Sequence, residues 1–221
     1  MGSITRSFAN NIGSSGILTA SAVTNATVED VTSFDNAASP ATLVLLSTQT
    51  ASSSANISFT TGLDSTYDKY IFKFINIHPA SDDVQFGFQG STDGGSNYGV
   101  NITSTSFFAE QTEGDTGTQF TYATTEDLAQ STSEQIIVNA QGGSGADESC
   151  SGEFSFFNPS STTYVKHFIL RMQSYHASNR TNDRYTAGYF NTTSAVNAIR
   201  FKFNSGNIDD GIIKLYGVKK S

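Results

Sequence analysis

A chain of 221 residues with a net charge of −8 and few basic side chains is long enough for one large domain plus an appendage. It lacks the surplus of Lys and Arg with which nucleic-acid binders neutralise phosphates. Its single cysteine, Cys150, excludes an intrachain disulfide, and only 14% of its residues are charged where soluble domains usually carry about 25%, with Ser, Thr, Asn and Gln in their place. Such a surface suits permanent packing against neighbours and contact with sugars.

From Met1 to Ser39 the sequence is Ser, Thr, Ala, Asn and Gly, with isolated apolar residues at Phe8, Ile12, Ile17, Leu18, Val23 and Phe34. This pattern cannot build a core. Residues 1–40 are therefore expected to form an extended N-terminal arm that orders on assembly, with those six side chains as its anchors. At about 3.3 Å per residue, roughly forty extended residues span on the order of 130 Å, enough to cross several neighbours. Arg6 is the only positive charge near the start and no apolar stretch follows it, so no secretory leader is expected. The apolar run Leu43 to Leu46 is too short to cross a bilayer. The expectation is a soluble chain made in a cytoplasm, without membrane insertion.

Residues 41–221 carry nearly all the aromatics, in short segments punctuated by Gly and turn residues. In chain order, strands are predicted over Val44 to Leu46, Ile57 to Thr60, Tyr67 to Ile77, Val84 to Gln89 and Tyr98 to Thr105. They continue over Gln119 to Ala123, Ile136 to Asn139, Glu153 to Phe157, Tyr164 to Tyr175, Tyr185 to Thr192, Ile199 to Phe203 and Gly211 to Val218. About a dozen short strands predict an all-β fold, an antiparallel β-sandwich of jelly-roll-like kind preceded by the arm. Asp93-Gly94-Gly95 reads as a hairpin turn between two of the strands. Asp209-Asp210-Gly211 reads as the turn between the last two. One turn of helix is predicted over Thr124 to Leu128, where an acid follows a Thr at capping distance.

The faces of the strands say more than their number. In Ile199-Arg200-Phe201-Lys202-Phe203 the alternation predicts apolar residues toward a core and cations toward water. By contrast Val165, His167 and Ile169 alternate with Lys166, Phe168, Leu170 and Met172, so both faces read as largely apolar. Tyr70 to Ile75 is similar, interrupted only by Lys73. A two-sided strand in a sandwich needs something over its outer face: a loop, the arm, or a neighbouring subunit.

Chemistry-bearing patterns are few. His78, His167 and His176 have no metal-ligand spacing, and His167 reads as a satisfied core residue. His78, just before Pro79, reads as a loop residue. The runs Gly13-Ser14-Ser15-Gly16 and Gly142-Gly143-Ser144-Gly145 fit neither a nucleophile elbow nor a phosphate loop. The acid pairs Asp82-Asp83, Glu126-Asp127, Asp147-Glu148 and Asp209-Asp210 read as solvated loop residues. They leave glycosidase chemistry, which needs two carboxylates across a sugar, as the remotest class. No catalytic residue, metal site or cofactor is predicted. Tyr98, Tyr175, Tyr185 and Tyr189 lie among Asn, Ser and Arg, a mixture that stacks on sugar rings while hydrogen-bonding hydroxyls, so they are the candidate glycan contacts. Subunit packing uses tyrosines equally well.

Several longer strings resemble a known group. Gly145-Ala146-Asp147-Glu148-Ser149, the run from Phe157 to Phe168, Gly188-Tyr189-Phe190-Asn191-Thr192-Thr193-Ser194-Ala195 and the ending Ile212 to Val218 resemble structural proteins of tailed bacteriophages, particularly marine ones. The opening Phe8-Ala9-Asn10-Asn11-Ile12 resembles the start of phage fibre and appendage proteins, whose N-terminal part anchors to the particle. The resemblance implies a non-enzymatic virion protein, a short fibre or knob anchored by its arm and assembling with itself, with a homotrimer the expected state. It also implies contact with capsid, portal or tail proteins and with host surface glycans. Its rival is a capsid decoration protein that cements the shell. The group carries no defined catalytic or receptor residue to transfer.

Overall fold

In the computed structural model, residues 42–176 and 178–219 are described, within the unit spanning Ala41–Ser221. The predicted arm anchors Phe8, Ile12, Ile17, Leu18, Val23 and Phe34 lie outside the described residues. Twelve strands follow one another in the chain: β1 Leu43–Thr50, β2 Ile57–Phe59, β3 Lys69–Pro79, β4 Val84–Ser91, β5 Ile102–Thr112, β6 Thr118–Tyr122, β7 Gln135–Gly142, β8 Cys150–Phe157, β9 Lys166–His176, β10 Arg180–Phe190, β11 Ala198–Phe203 and β12 Ile208–Val218. Every pairing is antiparallel, and the fold is a β-sandwich as predicted. One sheet has the order β1-β12-β3-β8-β9-β10-β5-β6 and the other β7-β4-β11-β2, and a lone bridge between Gly142 and His176 ties them at one corner.

Alternation explains why these two sheets close on each other. On the large sheet Phe72, Phe74, Phe154, Phe156, Phe168, Leu170 and Leu215 point inward, and on the small sheet Phe59, Phe86, Phe88, Ile199, Phe201 and Phe203 meet them, all buried. Phe201 is the hub. Its ring lies 5.0–6.4 Å from those of Phe59, Phe72, Phe74, Phe86, Phe88 and Phe154, the spacing at which edge-to-face and offset pairs add to simple burial.

Local readings needed correction where a long-range contact outweighed the local signal. The Asp93 turn exists, with Gly94 and Gly95 at positive φ, but it is no hairpin: β4 pairs with β7 and β11, and β5 with β6 and β10. The turn carries the chain from one sheet to the other. Asp209, Asp210 and Gly211 sit inside β12, where the register slips on both sides of Asp210 and Gly211 adopts φ 123°. The turn before β12 is made at Asn204–Gly206, with Gly206 at φ 69°. His78 ends β3 rather than occupying a loop. Over Thr124 to Leu128 there is a hydrogen-bonded turn, in which Glu126 N and Asp127 N both donate to Ala123 O at 3.2 Å, and no helix forms because Glu126 turns inward.

Two more residues changed sides. Lys166 is fully buried and His167 exposed, so His167 is not the core residue that the sequence suggested. The inward set of β9 is Lys166, Phe168, Leu170, Met172, and the lysine is tolerated because its Nζ donates to Tyr164 O at 2.8 Å and Thr192 O at 3.0 Å. Its burial depresses its basicity. Glu126, read as a solvated loop acid, is buried against Arg184.

Candidate binding face

The outer face of the large sheet is the side that strand alternation leaves away from the core. The pairing registers place Lys214, Lys73, Glu153, Arg171, Tyr185, Phe107 and Tyr122 in one row across it, from β12 to β6. The neighbouring row runs Leu45, Tyr216, Ile71, Ser155, Ile169, Ala187, Thr105. An outward sheet face normally reads polar. Here Leu45 is 52% exposed, Ile169 58%, Phe120 73% and Tyr122 47%.

Toward β6 the face becomes an ordered ladder of planar groups. Arg171 grips Asp183 through two bonds, Nε to Oδ1 at 2.9 Å and Nη2 to Oδ2 at 2.8 Å, and Asp183 strengthens the basicity of the guanidinium. The fixed guanidinium sits 5.0 Å from the Tyr185 ring centre. Tyr185 stacks on Phe107 at 5.1 Å with 7° between planes, and Phe107 meets Phe120 at 5.5 Å. Four strands thus contribute one plane each.

Beside the ladder lies a shallow groove of about 480 Å³. Ala187 forms its floor because it is the smallest outward residue of β10, with Thr103 and Thr105 on one side and Phe157, His167, Ile169 and Tyr189 around it. The His167 and Tyr189 rings are 6.1 Å apart. Aromatic edges and an aliphatic floor, rimmed by hydroxyls, can hold the apolar face of a sugar ring or a partner's side chain.

Of the four candidate tyrosines, Tyr175, Tyr185 and Tyr189 share this outer face, since β9 and β10 alternate in step. Tyr175 donates its hydroxyl to Asn179 Oδ1 at 3.2 Å, and burial followed by nearby acids raises its pKa. Tyr98 does not join them. It lies outside that face, with the Arg200 guanidinium 4.4 Å above its ring and its buried hydroxyl without a partner among the described residues. It lines a separate polar pocket of about 460 Å³ with Asp93, Asn97, Asn101 and Asn191. Asp93 is committed there to the turn: it accepts from Ser91 Oγ at 2.6 Å, Asn97 Nδ2 at 2.7 Å and Asn97 N at 2.9 Å, which pulls its pKa down to about 2.

Two acid pairs that are distant in sequence meet. Asp147, Glu148, Asp209 and Asp210 line a pocket of about 400 Å³ with Asn76 and His78. His78 Nε2 lies 3.1 Å from Gly145 O and its Nδ1 3.8 Å from Asp209 Oδ2. Glu148 accepts from Gly145 N at 2.6 Å and Asp210 from Gly211 N at 2.7 Å, so those carboxylates are bound into the local backbone. Among the described residues no group of three or more His, Cys, Asp or Glu is arranged to hold a metal ion.

Phe107, Phe120, Tyr122 and Phe157 were not singled out from the sequence as surface residues. One signal was available: Phe107-Phe108 are adjacent in a strand, so one of them must point outward. Comparison with protein-family models, with curated proteins and with solved structures found no match.

Proposed function

We propose that this chain is a structural protein of a tailed-bacteriophage virion: a short fibre- or knob-type appendage that the arm, residues 1–40, anchors to the particle and that meets host surface glycans through its β domain. It is made in the host cytoplasm and works in the virion as a binding and assembly protein, not an enzyme. The observation that carries this reading is the outer face of the large sheet, where an ion-pair-fixed arginine, stacked aromatics and the Ala187 groove stand open. Exposed apolar patches of this extent mark interaction surfaces, and aromatic planes beside hydroxyls match the alternating apolar and polar faces of sugars. The strings that resemble phage structural proteins give the reading its biological setting.

Locating the protein in an electron-microscopy reconstruction of the virion tests it. Density at the tail or vertices in low copy is expected. Density over every capsid threefold would transfer the chain to the decoration proteins. For the glycan contact, Tyr189→Ala should weaken binding to purified host surface polysaccharide while leaving the thermal midpoint unchanged, and equal binding by both proteins would remove the groove from the account. Polysaccharide hydrolysis that vanished with Asp209→Asn or Glu148→Gln would overturn the non-enzymatic reading.

A further inference from the structure

Among the described residues the strand β6 ends the large sheet and pairs with β5 alone. Thr112 N donates to Gly117 O at 3.0 Å and Ala123 N to Ser106 O at 2.8 Å. Because antiparallel ladders alternate, these two bonds set the phase: Gln119 and Thr121 direct their N–H and C=O groups at β5, while Thr118, Phe120 and Tyr122 direct theirs away from the sheet.

Proteins protect such edges with charge, proline, bulges or brevity. Among the described residues the other edges follow that rule: β1 has a register shift between Leu45 and Ser47, β2 is three residues long, and β7 meets β4 through two register shifts. By contrast β6, Thr118-Gln119-Phe120-Thr121-Tyr122, has no charge, no proline and no bulge, and all five residues are exposed.

We infer that β6 is a self-association edge that pairs antiparallel with β6 of a second copy of this chain about a two-fold axis at Phe120. The outward groups are symmetric about Phe120. Pairing Phe120 with Phe120, and Thr118 with Tyr122 on each side, matches every outward N–H with a C=O. The same register brings Gln119 opposite Thr121, a polar and uncharged pair, so no like charges face each other along the strand. On the outer face it joins two Arg171–Tyr185–Phe107–Phe120 ladders end to end through the two Phe120 rings. A two-fold contact is isologous and closes on itself, so β6 pairing by itself ends at two chains. The inference is independent of the virion reading, because it rests on the backbone phase, the exposure and the uncharged sequence of β6. It occupies one edge per chain and leaves the rest free for the homotrimer.

Directly opposed residues in a hydrogen-bonded antiparallel pair have Cα atoms about 5.5 Å apart, within the reach of a disulfide. The buried Cys150 gives little background. In the full-length chain under mild oxidation, a mixture of Thr118→Cys and Tyr122→Cys, which are directly opposed in this register and keep Phe120, should yield a disulfide-linked dimer, whereas Thr105→Cys, on the same face but distant from the axis, should not. Absence of a dimer from the mixture, or equal cross-linking by Thr105→Cys, overturns the inference. A second measurement addresses the free chains: sedimentation should show loss of the β6 contact in Phe120→Lys and in Phe120→Glu, each alone, and its recovery when the two are mixed. If neither charge changes the association state of the wild-type chain, the pairing is wrong.

Discussion

The pair Arg184–Glu126 offers the sharpest test of how this fold is held together away from its aromatic core. Glu126 Oε2 lies 2.7 Å from Arg184 Nη1, and the side chains are 4% and 1% exposed. Beyond the carboxylate, the guanidinium has Ser106 Oγ at 3.3 Å and the Phe108 ring 4.8 Å away, while its Nε and Nη2 have no partner among the described residues. Gln135 Nε2 donates to Glu126 O at 2.8 Å and so fixes the loop that brings the acid in. Replacing Glu126 by Ala leaves a cation with almost no compensation in a dry site, a change that costs about 3–5 kcal/mol. In a domain of this size a loss of 1 kcal/mol moves the midpoint by about 2–4 °C, so calorimetry should show a fall of about 6–20 °C. The double variant Glu126→Leu/Arg184→Met removes both charges at similar volume and should recover most of the loss. Moderate salt should leave the wild-type midpoint nearly unchanged, because buried pairs are little screened. A drop of under about 2 °C in Glu126→Ala, smaller than any buried-charge penalty of that size allows, or a double variant as unstable as the single, would show that water reaches the guanidinium and that the reasoning fails.

Three further outcomes follow from the packing. Phe201→Ala should cost about 3–5 kcal/mol in urea unfolding, whereas Phe120→Ala, at a 73% exposed position, should stay within about 0.5 kcal/mol of wild type; comparable losses would mean that the core is misplaced. Burial pushes the Cys150 thiol up to about 12, so at pH 8 a thiol reagent should label it only as fast as the protein opens, and labelling of native chain at the unfolded rate would contradict its buried placement at the start of β8, opposite Ile77 of β3. His176 is buried, its Nδ1 accepts from Ser178 N at 2.8 Å, and burial, then Arg180, lowers its pKa below the ordinary 6.5. The unfolded chain therefore takes up the proton first, and stability should fall as pH drops from about 6.5 toward the native value, with His176→Asn flattening that slope between pH 7.5 and 5.5; parallel slopes would refute it.

Strand existence was legible because alternation is local: Ile199 to Phe203 declares its faces within five residues. Pairing was not, since β3 finds its partners in β8 and β12, far along the chain, and no local signal reports that choice. The Asp93 turn shows the consequence, a correct turn assigned to a hairpin because the nearest strand was assumed to be the partner. Lys166 and His167 show a different limit. Residue type predicted a buried imidazole, but phase along β9 is set by Phe168, Leu170 and Met172, which leaves His167 outside, and Lys166 lies with them inside because two backbone carbonyls await its Nζ. Glu126 was invisible as a structural acid because its cation lies on β10, fifty-eight residues away. The outward aromatic face was half legible, through the two-sided pattern of β9. Its extension through Phe107 and Phe120 depended on a register that only the fold supplies.

The strength of the β6 contact can be bounded, and the bound bears on where it operates. An aromatic side chain buries roughly 150–250 Å², so a Phe120 that is 73% exposed has on the order of 150 Å² left to bury in each copy. At about 25 cal/mol per Å², the two rings contribute roughly 7 kcal/mol. Association costs about 4–15 kcal/mol in lost translational and rotational freedom. The rings alone thus roughly cancel that cost, and the net affinity rests on the strand bonds, each contributing about 0.5–1.5 kcal/mol, and on Tyr122 and Phe107 at the margin. Such a contact is weak between free chains. It becomes effective where copies are already held side by side, because tethering replaces bulk concentration by an effective one in the millimolar range. A chain whose partners are other copies fixed on a common particle is the setting in which an unprotected, uncharged edge of this strength is useful and safe. It follows that cross-linking of Thr118→Cys with Tyr122→Cys should be markedly more efficient in assembled particles than in dilute free protein. Equal efficiency in both would mean that the edge is not governed by local concentration.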